Sequence, residues 1–459
     1  KFLIIAALFL YLILIPILTV RHPQPLPDQK WPLQLHPPPP QDRTNLSHIA
    51  FGVMGSVQMW PHRRGYQEAW WRPNATRGFI YLDRPPPPEF LPWPETAPPY
   101  RVVDNISRLF EKEKPRFELM PRMVHGILQL FREVDGDDLR WIVMGDDDTV
   151  FFADNVADVL SEYDHERYYY LGWHSESVIS NLWFSFDMAF GGGGIVLSRP
   201  LAAALARDMD DCLVRYAAST SADLITMTCI ADIGVNLTPH KGIHQGDLHG
   251  DLSGYLWAHP KVPVMAFHHF GAVEPIFPGK DRFESTRHLM TASDADQSRL
   301  FQQTICHLRR PNREWSVSVS WGYSAQIYER VFPRSYLQVP IETFTPWARG
   351  SEPPFFMFNT RPVSNDPCEA PHVFFLDSVE KTAAGDRILT TYVRARPRGL
   401  PPCAAGENRS ADPVAKITVS SPATKRIQID RCECCDVVEV DDVEMEVNYR
   451  ECRIDEIIA

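Results

Sequence analysis

Short apolar runs alternate with helix-forming segments over residues 48–300, and this alternation restricts the fold more than any other property of the chain. The runs that predict strands are His48–Ser56, Gly78–Asp83, Trp141–Met144 and Tyr168–Trp173. Segments with helical character lie between them, at Arg63–Trp71 and Pro121–Arg132. Such alternation predicts an α/β fold with a mostly parallel sheet and helices on both faces.

The pattern changes near residue 306 to one that is typical of antiparallel strands. Apolar and polar residues alternate strictly in Trp315–Gly322 and in Val443–Tyr449. The segments HVFFLDSV, KITVSS and RIQID in the same region also have strand character. We therefore predict a second, β-rich domain over residues 306–459.

Cysteine usage supports an oxidising compartment for this second region. Six of the nine cysteines lie in the last hundred residues, and they are Cys368, Cys403, Cys432, Cys434, Cys435 and Cys452. We expect these six to form a disulfide framework, with one odd thiol in the chain as a whole. A metal-binding cluster at Cys432–Cys435 is the alternative, although its spacing is not that of a zinc site.

The N-terminal run Phe2–Val20 contains no charged residue. As a helix it would be about 28 Å long, which is close to the ~30 Å of a bilayer core. We predict a transmembrane signal anchor at residues 1–20, with membrane contact through residues 2–20. A cleaved signal peptide is the alternative, but its usual small-residue cleavage site is missing.

A single span at this position predicts a type II protein whose remaining residues lie in the lumen. Residues 21–47 are rich in proline and predict an extended stem. A structured domain is then expected over residues 48–305. Four Asn-x-Ser/Thr sequons are candidate glycosylation sites, and they are Asn45, Asn74, Asn105 and Asn408.

The charge balance argues against one class of partner. The chain has 46 Lys and Arg against 58 Asp and Glu, which gives a net charge of −12 at pH 7. Proteins that bind nucleic acids depend on an excess of cationic side chains. We therefore predict no nucleic-acid partner.

Three consecutive aspartates, Asp146–Asp148, follow the apolar run Trp141–Met144. Burying unpaired carboxylates is costly, so a positive group is expected beside them. Ligands of open α/β sheets bind at the carboxyl ends of strands, and Mg²⁺ or Mn²⁺ binds carboxylates together with substrate phosphates. The alternative is a simple turn, in which aspartate is also favoured.

Two later segments favour the metal interpretation. The segment Met188–Leu205 contains Gly191–Gly194, and glycines allow a backbone to approach a ligand closely, although a flexible loop would also use them. The segment His240–Leu256 brings several potential ligands together, namely His244, Asp247, His249 and Asp251. A lone histidine is usually structural, whereas such a cluster is more typical of ligation.

The segments WIVMGDDDTVFF, MAFGGGG, SADLITMTCIADIGV, GIHQGD and HHFGAVEPIFPG occur in this order. Together they resemble the fringe-related glycosyltransferases, and above all the plant branch of that family, long labelled only as a domain of unknown function. The likeness covers about residues 48–300. It implies a GT-A fold, a UDP-sugar donor, and Mn²⁺ or another divalent cation as cofactor.

The same resemblance implies the reaction and its location. A hexose or N-acetylhexosamine would move, with inversion at the anomeric carbon, to a hydroxyl of a glycan or glycoprotein acceptor. The family habit favours a β-1,3-type transfer and a Golgi membrane location with a lumenal catalytic domain.

Roles follow residue by residue from the resemblance. Asp148 and His244 match the metal ligands, and Asp146 lies near the metal and the ribose and sugar of the donor. Asp223 matches the catalytic carboxylate, with Asp247 or Asp251 as substitutes. The remaining donor-binding positions are Ser56 and Asp83 for the uridine, Asp147, and Gly191, Gly192 and Gly193.

Two other functions remain open at this stage. A lumenal protein could bind glycans or nucleotide sugars without catalysis, which an absent base would favour. A metal-dependent phosphate-ester hydrolase is the other alternative, and such enzymes often need two metals and hence more ligands.

Overall fold

The computed structural model describes residues 43–111, 114–403, 410–426, 431–441 and 443–458. The predicted anchor, most of the predicted stem and the sequon at Asn408 lie outside these residues. Within the part described, no helix is both long and apolar enough to cross a membrane.

The first part of the chain alternates strands and helices as predicted. Its strands are β1 (Ile49–Met54), β2 (Arg77–Leu82), β3 (Tyr100–Val102), β4 (Trp141–Asp146), β5 (Val150–Phe151), β6 (Tyr170–Gly172), β7 (Ile195–Ser198), β8 (Leu237–Pro239), β9 (Ile243–His244), β10 (Leu248–Gly250) and β11 (Ala266–Phe267). Its helices are α1 (Trp60–Trp70), α2 (Leu119–Val134), α3 (Ala153–Leu160), α4 (Val178–Trp183), α5 (Arg199–Arg215), α6 (Ala222–Asp232), α7 (Ser253–Ala258) and α8 (Arg282–Ala295).

Seven of these strands form one sheet in the order β3-β2-β1-β4-β7-β6-β8. Strands β3, β2, β1 and β4 are parallel, so β1, β2 and β4 end at the same edge of the sheet. Strand β7 is antiparallel to both of its neighbours, which makes the sheet mixed. The turn at Gly191–Gly194 leads into β7, and Gly194 has a φ of +118° that favours glycine.

Helices cover both faces of this sheet. Leu130 of α2, Leu205 of α5 and Ile225 of α6 belong to the apolar core on one face. On the other face, Trp70 of α1 and Leu289 of α8 share a core with Phe51. Side chains of β1 alternate between the two cores, as the period of a strand requires.

The predicted β-rich region is an eight-stranded sheet. Its strands are β12 (Gln303–Arg310), β13 (Arg313–Ser320), β14 (Ser324–Tyr328), β16 (His372–Lys381), β17 (Arg387–Arg394), β18 (Lys416–Pro422), β19 (Cys434–Val440) and β20 (Glu444–Arg450). All pairs are antiparallel except β18 and β20. Strand β15 (Phe344–Pro346) lies outside the sheet, as does the short helix α9 (Arg334–Leu337). Most of the segment RIQID lies outside the described residues.

Four disulfides are formed, and they are Cys212–Cys229, Cys306–Cys435, Cys368–Cys403 and Cys434–Cys452. The expected framework is corrected in one respect, because Cys306 from outside the group of six joins it. Cys306 and Cys435 connect the two edge strands of the eight-stranded sheet, and Cys432 is the free thiol among the described cysteines. The alternative metal cluster at Cys432–Cys435 is wrong, since two of its thiols are oxidised.

Candidate functional site

The three aspartates form a tight turn at the end of β4, at the edge where the parallel strands end. The backbone N–H of Thr149 donates to the carbonyl of Asp146 at 3.0 Å. Buried Gln67 of α1 donates its side-chain amide to the carbonyl of Asp147 at 2.9 Å and to that of Thr149 at 3.2 Å. The turn is therefore fixed by the helix that follows β1.

The positive group expected beside these carboxylates includes Arg63 of α1. Its guanidinium is paired with Asp147, and its Nη1 lies 3.2 Å from Oδ1 of Asp148. Sequence reasoning identified this helix but missed the role of Arg63, because 84 residues separate it from Asp147. One arginine against three carboxylates leaves a formal charge of −2, which a divalent cation would balance.

Two histidines after β11 face the same turn. The Nε2 atom of His268 lies 2.9 Å from Oδ1 of Asp148 and 3.7 Å from Oδ2 of Asp146. Ligand atoms of Asp148, His268 and His269 all lie within 4.8 Å of one another. A carboxylate with two imidazoles is a donor set that divalent transition metals use, and the Nδ1 atom of His268, on the ring whose Nε2 faces Asp148, is buried with no hydrogen-bond partner among the described residues. The group therefore fits a divalent cation.

The structure places His244 away from this group. Strand β9 pairs in parallel with β11, and His244 is level with Phe267. Successive side chains alternate between the faces of a strand, so His268 points to the opposite side from His244. The Nδ1 atom of His244 instead lies 2.9 Å from the Tyr255 hydroxyl and 3.7 Å from Glu176. His268 occupies the position that the sequence analysis gave to His244.

Each predicted donor-binding glycine leaves room for a different neighbour. A methyl group at Gly191 would overlap the carboxylate of Asp223, and one at Gly192 would overlap the His268 ring. The N–H of Gly193 donates to the side-chain oxygen of Gln245 at 2.7 Å. The run of glycines is therefore a close-packed turn between the candidate base and the candidate metal ligands.

Asp223 lies in the first turn of α6, next to Gly191. A cavity of about 40 Å³ is lined by Asp146, Gly191 and Asp223. Burial, together with the charge of Asp146, raises the pKa of Asp223 to about 7. The structure thus brings the predicted catalytic carboxylate to the same edge as the acidic turn.

The aspartates of the turn have different proton affinities. Burial and the two adjacent carboxylates raise the pKa of Asp146 to about 7. Burial opposes ionisation of Asp148, but His268 outweighs that effect and holds the pKa of Asp148 at about 2. Asp148 is therefore the carboxylate that remains ionised most readily.

The predicted uridine-binding residues meet at the ends of β1 and β2. The N–H of Ser56 lies 3.4 Å from Oδ2 of Asp147, and Asp83 accepts a hydrogen bond from the N–H of Val57 at 2.8 Å. These contacts fix the loop after β1 against the acidic turn. They place Ser56, Asp83 and Asp147 at the same edge of the sheet, and their role in binding uridine stays a prediction.

The two substitute bases, Asp247 and Asp251, accept hydrogen bonds from other groups of the protein. Asp247 accepts a hydrogen bond from the hydroxyl of Ser175 at 2.5 Å and lies 3.3 Å from Nδ1 of His269. Asp251 accepts hydrogen bonds from the N–H and the hydroxyl of Ser253 at 2.8 and 2.9 Å. Asp223 therefore keeps the role of candidate base.

Two other features lie away from the site. The sequon residues Asn45, Asn74 and Asn105 are exposed. A cavity of about 760 Å³ beside Arg140 and Arg199 lies at the other end of β4 and includes none of the predicted site residues.

The chain matches the family described as Protein of unknown function, DUF604, over residues 180–435. The match covers more than half of the 459 residues. It includes the glycine turn, Asp223, His268 and most of the eight-stranded sheet, but begins after the acidic turn. No curated protein matches the chain.

Solved structures that resemble part of the chain are glycosyltransferases. A mannosyltransferase from Pyrobaculum calidifontis in complex with GDP-Man and Mn²⁺ is 13% identical, with 44% of this chain and 58% of that chain covered and a TM-score of 0.26. The catalytic domain of Drosophila β1,4-galactosyltransferase 7 in complex with xylobiose is 14% identical, with 42% and 64% covered and a TM-score of 0.20. Mouse xyloside xylosyltransferase 1 is 8% identical, with 48% and 97% covered and a TM-score of 0.27.

The chain thus spans less than two thirds of the length of the first two structures. TM-scores this low assign neither a fold nor an activity.

Proposed function

The chain belongs to the DUF604 family of proteins of unknown function, and we propose that it is a metal-dependent glycosyltransferase. It moves a hexose or N-acetylhexosamine from a UDP-sugar to a hydroxyl of a glycan or glycoprotein acceptor. The observation that carries this proposal is the group of Asp148, His268 and His269 within 4.8 Å, at the edge where the parallel strands end, with Asp223 nearby.

Asp148, His268 and His269 are the residues that would hold a divalent cation such as Mn²⁺. When bound, the cation supplies a Lewis acid for the diphosphate leaving group of a nucleotide sugar. Asp148 is suited to this position, because it is buried beside both histidines and its pKa lies below that of an ordinary aspartate, so that it is anionic near neutral pH.

Asp223 is the proposed general base. It is separate from the metal ligands and borders a cavity shared with Asp146 and Gly191. Its raised pKa, about 7, makes it a stronger proton acceptor than an ordinary carboxylate. A single carboxylate that takes the proton of the acceptor hydroxyl supports a one-step, inverting transfer.

The finer assignments rest on the sequence resemblance and on the apolar run Phe2–Val20. We propose a fringe-related, GT-A-type enzyme with β-1,3-type transfer. We also propose a single-pass type II protein of the Golgi membrane, with residues 48–305 as the transferase domain on the lumenal side.

The test is UDP release from a panel of UDP-sugars by the purified chain, with Mn²⁺ or with EDTA. We expect release from one donor, lost on chelation and in Asp148→Ala, because that substitution removes a metal ligand. The matched control is Asp137→Ala, an exposed aspartate in the loop before β4. Failure of UDP to bind in a Mn²⁺-dependent manner would refute the proposal.

A further inference from the structure

The β-rich region contributes one side chain beside the candidate metal ligands. Strand β15 pairs antiparallel with β10, with Pro346 opposite Leu248. The next residue is Trp347, whose N–H donates to the carbonyl of Asp247 at 3.1 Å. The pairing therefore brings Trp347 to the histidines that follow β11.

Trp347 is part of a column of four stacked rings. The centroids of His268 and His269 are 3.7 Å apart, and those of His269 and Trp347 are 4.4 Å apart with nearly parallel planes, 4° between them. His249 stacks on Trp347 at 4.4 Å and 17°. The column begins at His268, whose Nε2 contacts Asp148, and ends on β10.

The carboxylate of Asp247 lies beside the edge of the His269 ring. Oδ1 of Asp247 lies 3.3 Å from Nδ1 of His269, and Asp247 is itself fixed by the hydroxyl of Ser175. The Nδ1 atom of His269 makes no hydrogen bond within the described residues, so this carboxylate attracts the ring without fixing its plane. The stack with Trp347 fixes the plane in which that ring lies.

We propose that Trp347 is a positioning residue for the metal site and that the β-rich region completes this site. The inference rests on the proposed function, because it assumes that His269 is a metal ligand. A histidine that binds a metal must keep its nitrogen within a few tenths of an ångström, and its support determines affinity. Without the indole, the ring of His269 gains freedom to turn away from Asp148.

The test is a titration of the full chain with Mn²⁺, read from the electron paramagnetic resonance signal of the free ion. We expect Trp347→Ala to weaken Mn²⁺ binding by about tenfold or more, and Trp347→Phe to restore most of the affinity because it keeps an aromatic face. The control is Tyr336→Ala, which removes a stacked ring in the separate apolar cluster of Tyr328, Phe332 and Leu337.

Unchanged Mn²⁺ affinity in Trp347→Ala would overturn the inference and leave the proposed function intact. If the wild-type chain did not bind Mn²⁺, the proposed metal site itself would be refuted. Should Trp347→Ala fail to fold, Trp347→Leu keeps an apolar side chain without a ring. Equal affinities of the Leu and Phe variants would then overturn the role of the stack.

An independent observation concerns residues 182–186, which expose several large apolar side chains. Leu182 and Trp183 are 64% and 67% exposed, and Phe184 and Phe186 are 38% and 46% exposed. Buried Asn181 fixes the start of this segment by donating to the carbonyls of Ser175 and Ser177. The fold therefore holds these apolar groups in water, and such patches usually mark a binding surface.

This patch adjoins the candidate base. The ring of Phe184 lies 6.1 Å from that of buried Phe190, which precedes Gly191 beside Asp223. Residues 178–194 contain no Lys or Arg, so this segment itself offers no cation to phosphates or anionic lipids. Sugar rings carry apolar C–H faces that pack on aromatic rings while their hydroxyls stay hydrated. We infer that residues 182–186 bind a saccharide acceptor, an inference that also rests on the proposed function.

The test follows binding to the full chain, with Mn²⁺ and UDP present, by isothermal titration calorimetry. The probes are soluble galacto-, xylo- and cello-oligosaccharides, and vesicles of phosphatidylcholine and phosphatidylserine. We expect at least one oligosaccharide to bind, and the double substitution Trp183→Ala and Phe186→Ala to weaken that binding about tenfold or more. Leu119→Ala, an exposed leucine on α2, is the control and should bind as the wild type does.

Three results would overturn this second inference while UDP binding stays intact. The first is that none of the oligosaccharides binds, and the second is that the double variant binds them as the wild type does. The third is binding to the vesicles, rather than to saccharides, that depends on Trp183. If the wild-type chain did not bind UDP in a Mn²⁺-dependent manner, the proposed function itself would be refuted.

Discussion

Among single side chains, Asp223 has the most clearly separable role. It lies beside Gly191 at the acidic edge, but outside the group of Asp148, His268 and His269. Its chemistry can therefore be removed without removing a metal ligand. The isosteric amide keeps the shape of the side chain and cannot accept the proton.

We expect Asp223→Asn to lower the rate of sugar transfer by about 100-fold to 10,000-fold, the usual contribution of a general base. Mn²⁺-dependent UDP binding should stay close to that of the wild type. Initial rates with a fixed donor and calorimetric titration with UDP measure the two quantities. A collapse of UDP affinity in this variant would assign Asp223 to donor binding instead.

The sequence analysis assigned the metal ligand to His244, whereas the structure favours His268, and the two histidines give opposite predictions. We expect His268→Ala to weaken Mn²⁺ binding by at least about tenfold, since its Nε2 contacts Asp148. His244→Ala should leave Mn²⁺ affinity nearly unchanged but lower the melting temperature, because His244 is buried against Tyr255. Calorimetric titration measures the Mn²⁺ affinity of both variants, and thermal unfolding measures their melting temperatures. Loss of Mn²⁺ affinity in His244→Ala but not in His268→Ala would identify His244 as the ligand.

Among the turns and helices, the glycine turn before β7 makes the most specific demand on sequence. The hydroxyl of Thr149 donates to the carbonyl of Gly192 at 2.6 Å, which joins this turn to the acidic turn. The His268 ring then packs directly on Gly192. The glycines therefore set how closely the candidate ligands approach the backbone.

We expect Gly192→Ala to impair Mn²⁺ binding by tenfold or more, on the order seen when the support of a metal ligand is lost. The added methyl group would overlap the His268 ring and force it to move. Gly136→Ala is the matched control, because the nearest neighbour of its methyl group would be the flexible side chain of Asp138, at 3.2 Å. Equal Mn²⁺ affinities in the two variants, measured by titration, would show that the turn accommodates the ring elsewhere.

For the molecule as a whole, a buried carboxylate connects distant parts of the β-rich region. Glu329 follows β14 and is 1% exposed. It accepts hydrogen bonds from His372 at 2.9 Å, Ser410 at 2.6 Å, and the N–H groups of Cys403 and Ala411 at 2.7 Å. Burial opposes its ionisation, but these hydrogen bonds outweigh that effect and lower the pKa of Glu329 to about 2.

This shift predicts acid sensitivity. The ordinary pKa of a glutamate is 4.5, so the stabilisation by ionised Glu329 is complete above that pH and is lost as the pH falls towards 2. The difference amounts to about 3 kcal/mol of the free energy of unfolding. Urea unfolding between pH 5 and pH 2 should show this loss in the wild type and a smaller pH dependence in Glu329→Gln. If the free energy of unfolding fell equally with pH in the wild type and in Glu329→Gln, Glu329 would have an ordinary pKa.

Local sequence patterns were sufficient for the elements and for part of the site. Apolar periodicity placed β1, β2, β4, β6, α1 and α2, and the run after β4 indicated a charged turn at Asp146–Asp148. These features depend on neighbours a few residues apart, where strand and helix periods act directly. The candidate base Asp223 did not come from these periods but from the resemblance, through a short motif.

Contacts between distant residues could not be derived from those patterns. Arg63 pairs with Asp147, Cys306 with Cys435, and Trp347 stacks on His269, each across many intervening residues. His244 and His268 each lie in or next to a short strand, and only the parallel pairing of β9 with β11 determines which faces Asp148. The sequence by itself determined the periodic elements and the chemical groups available to a site. The tertiary structure alone decided which of those groups meet, because strand register and packing, rather than local propensity, set distances across the sheet.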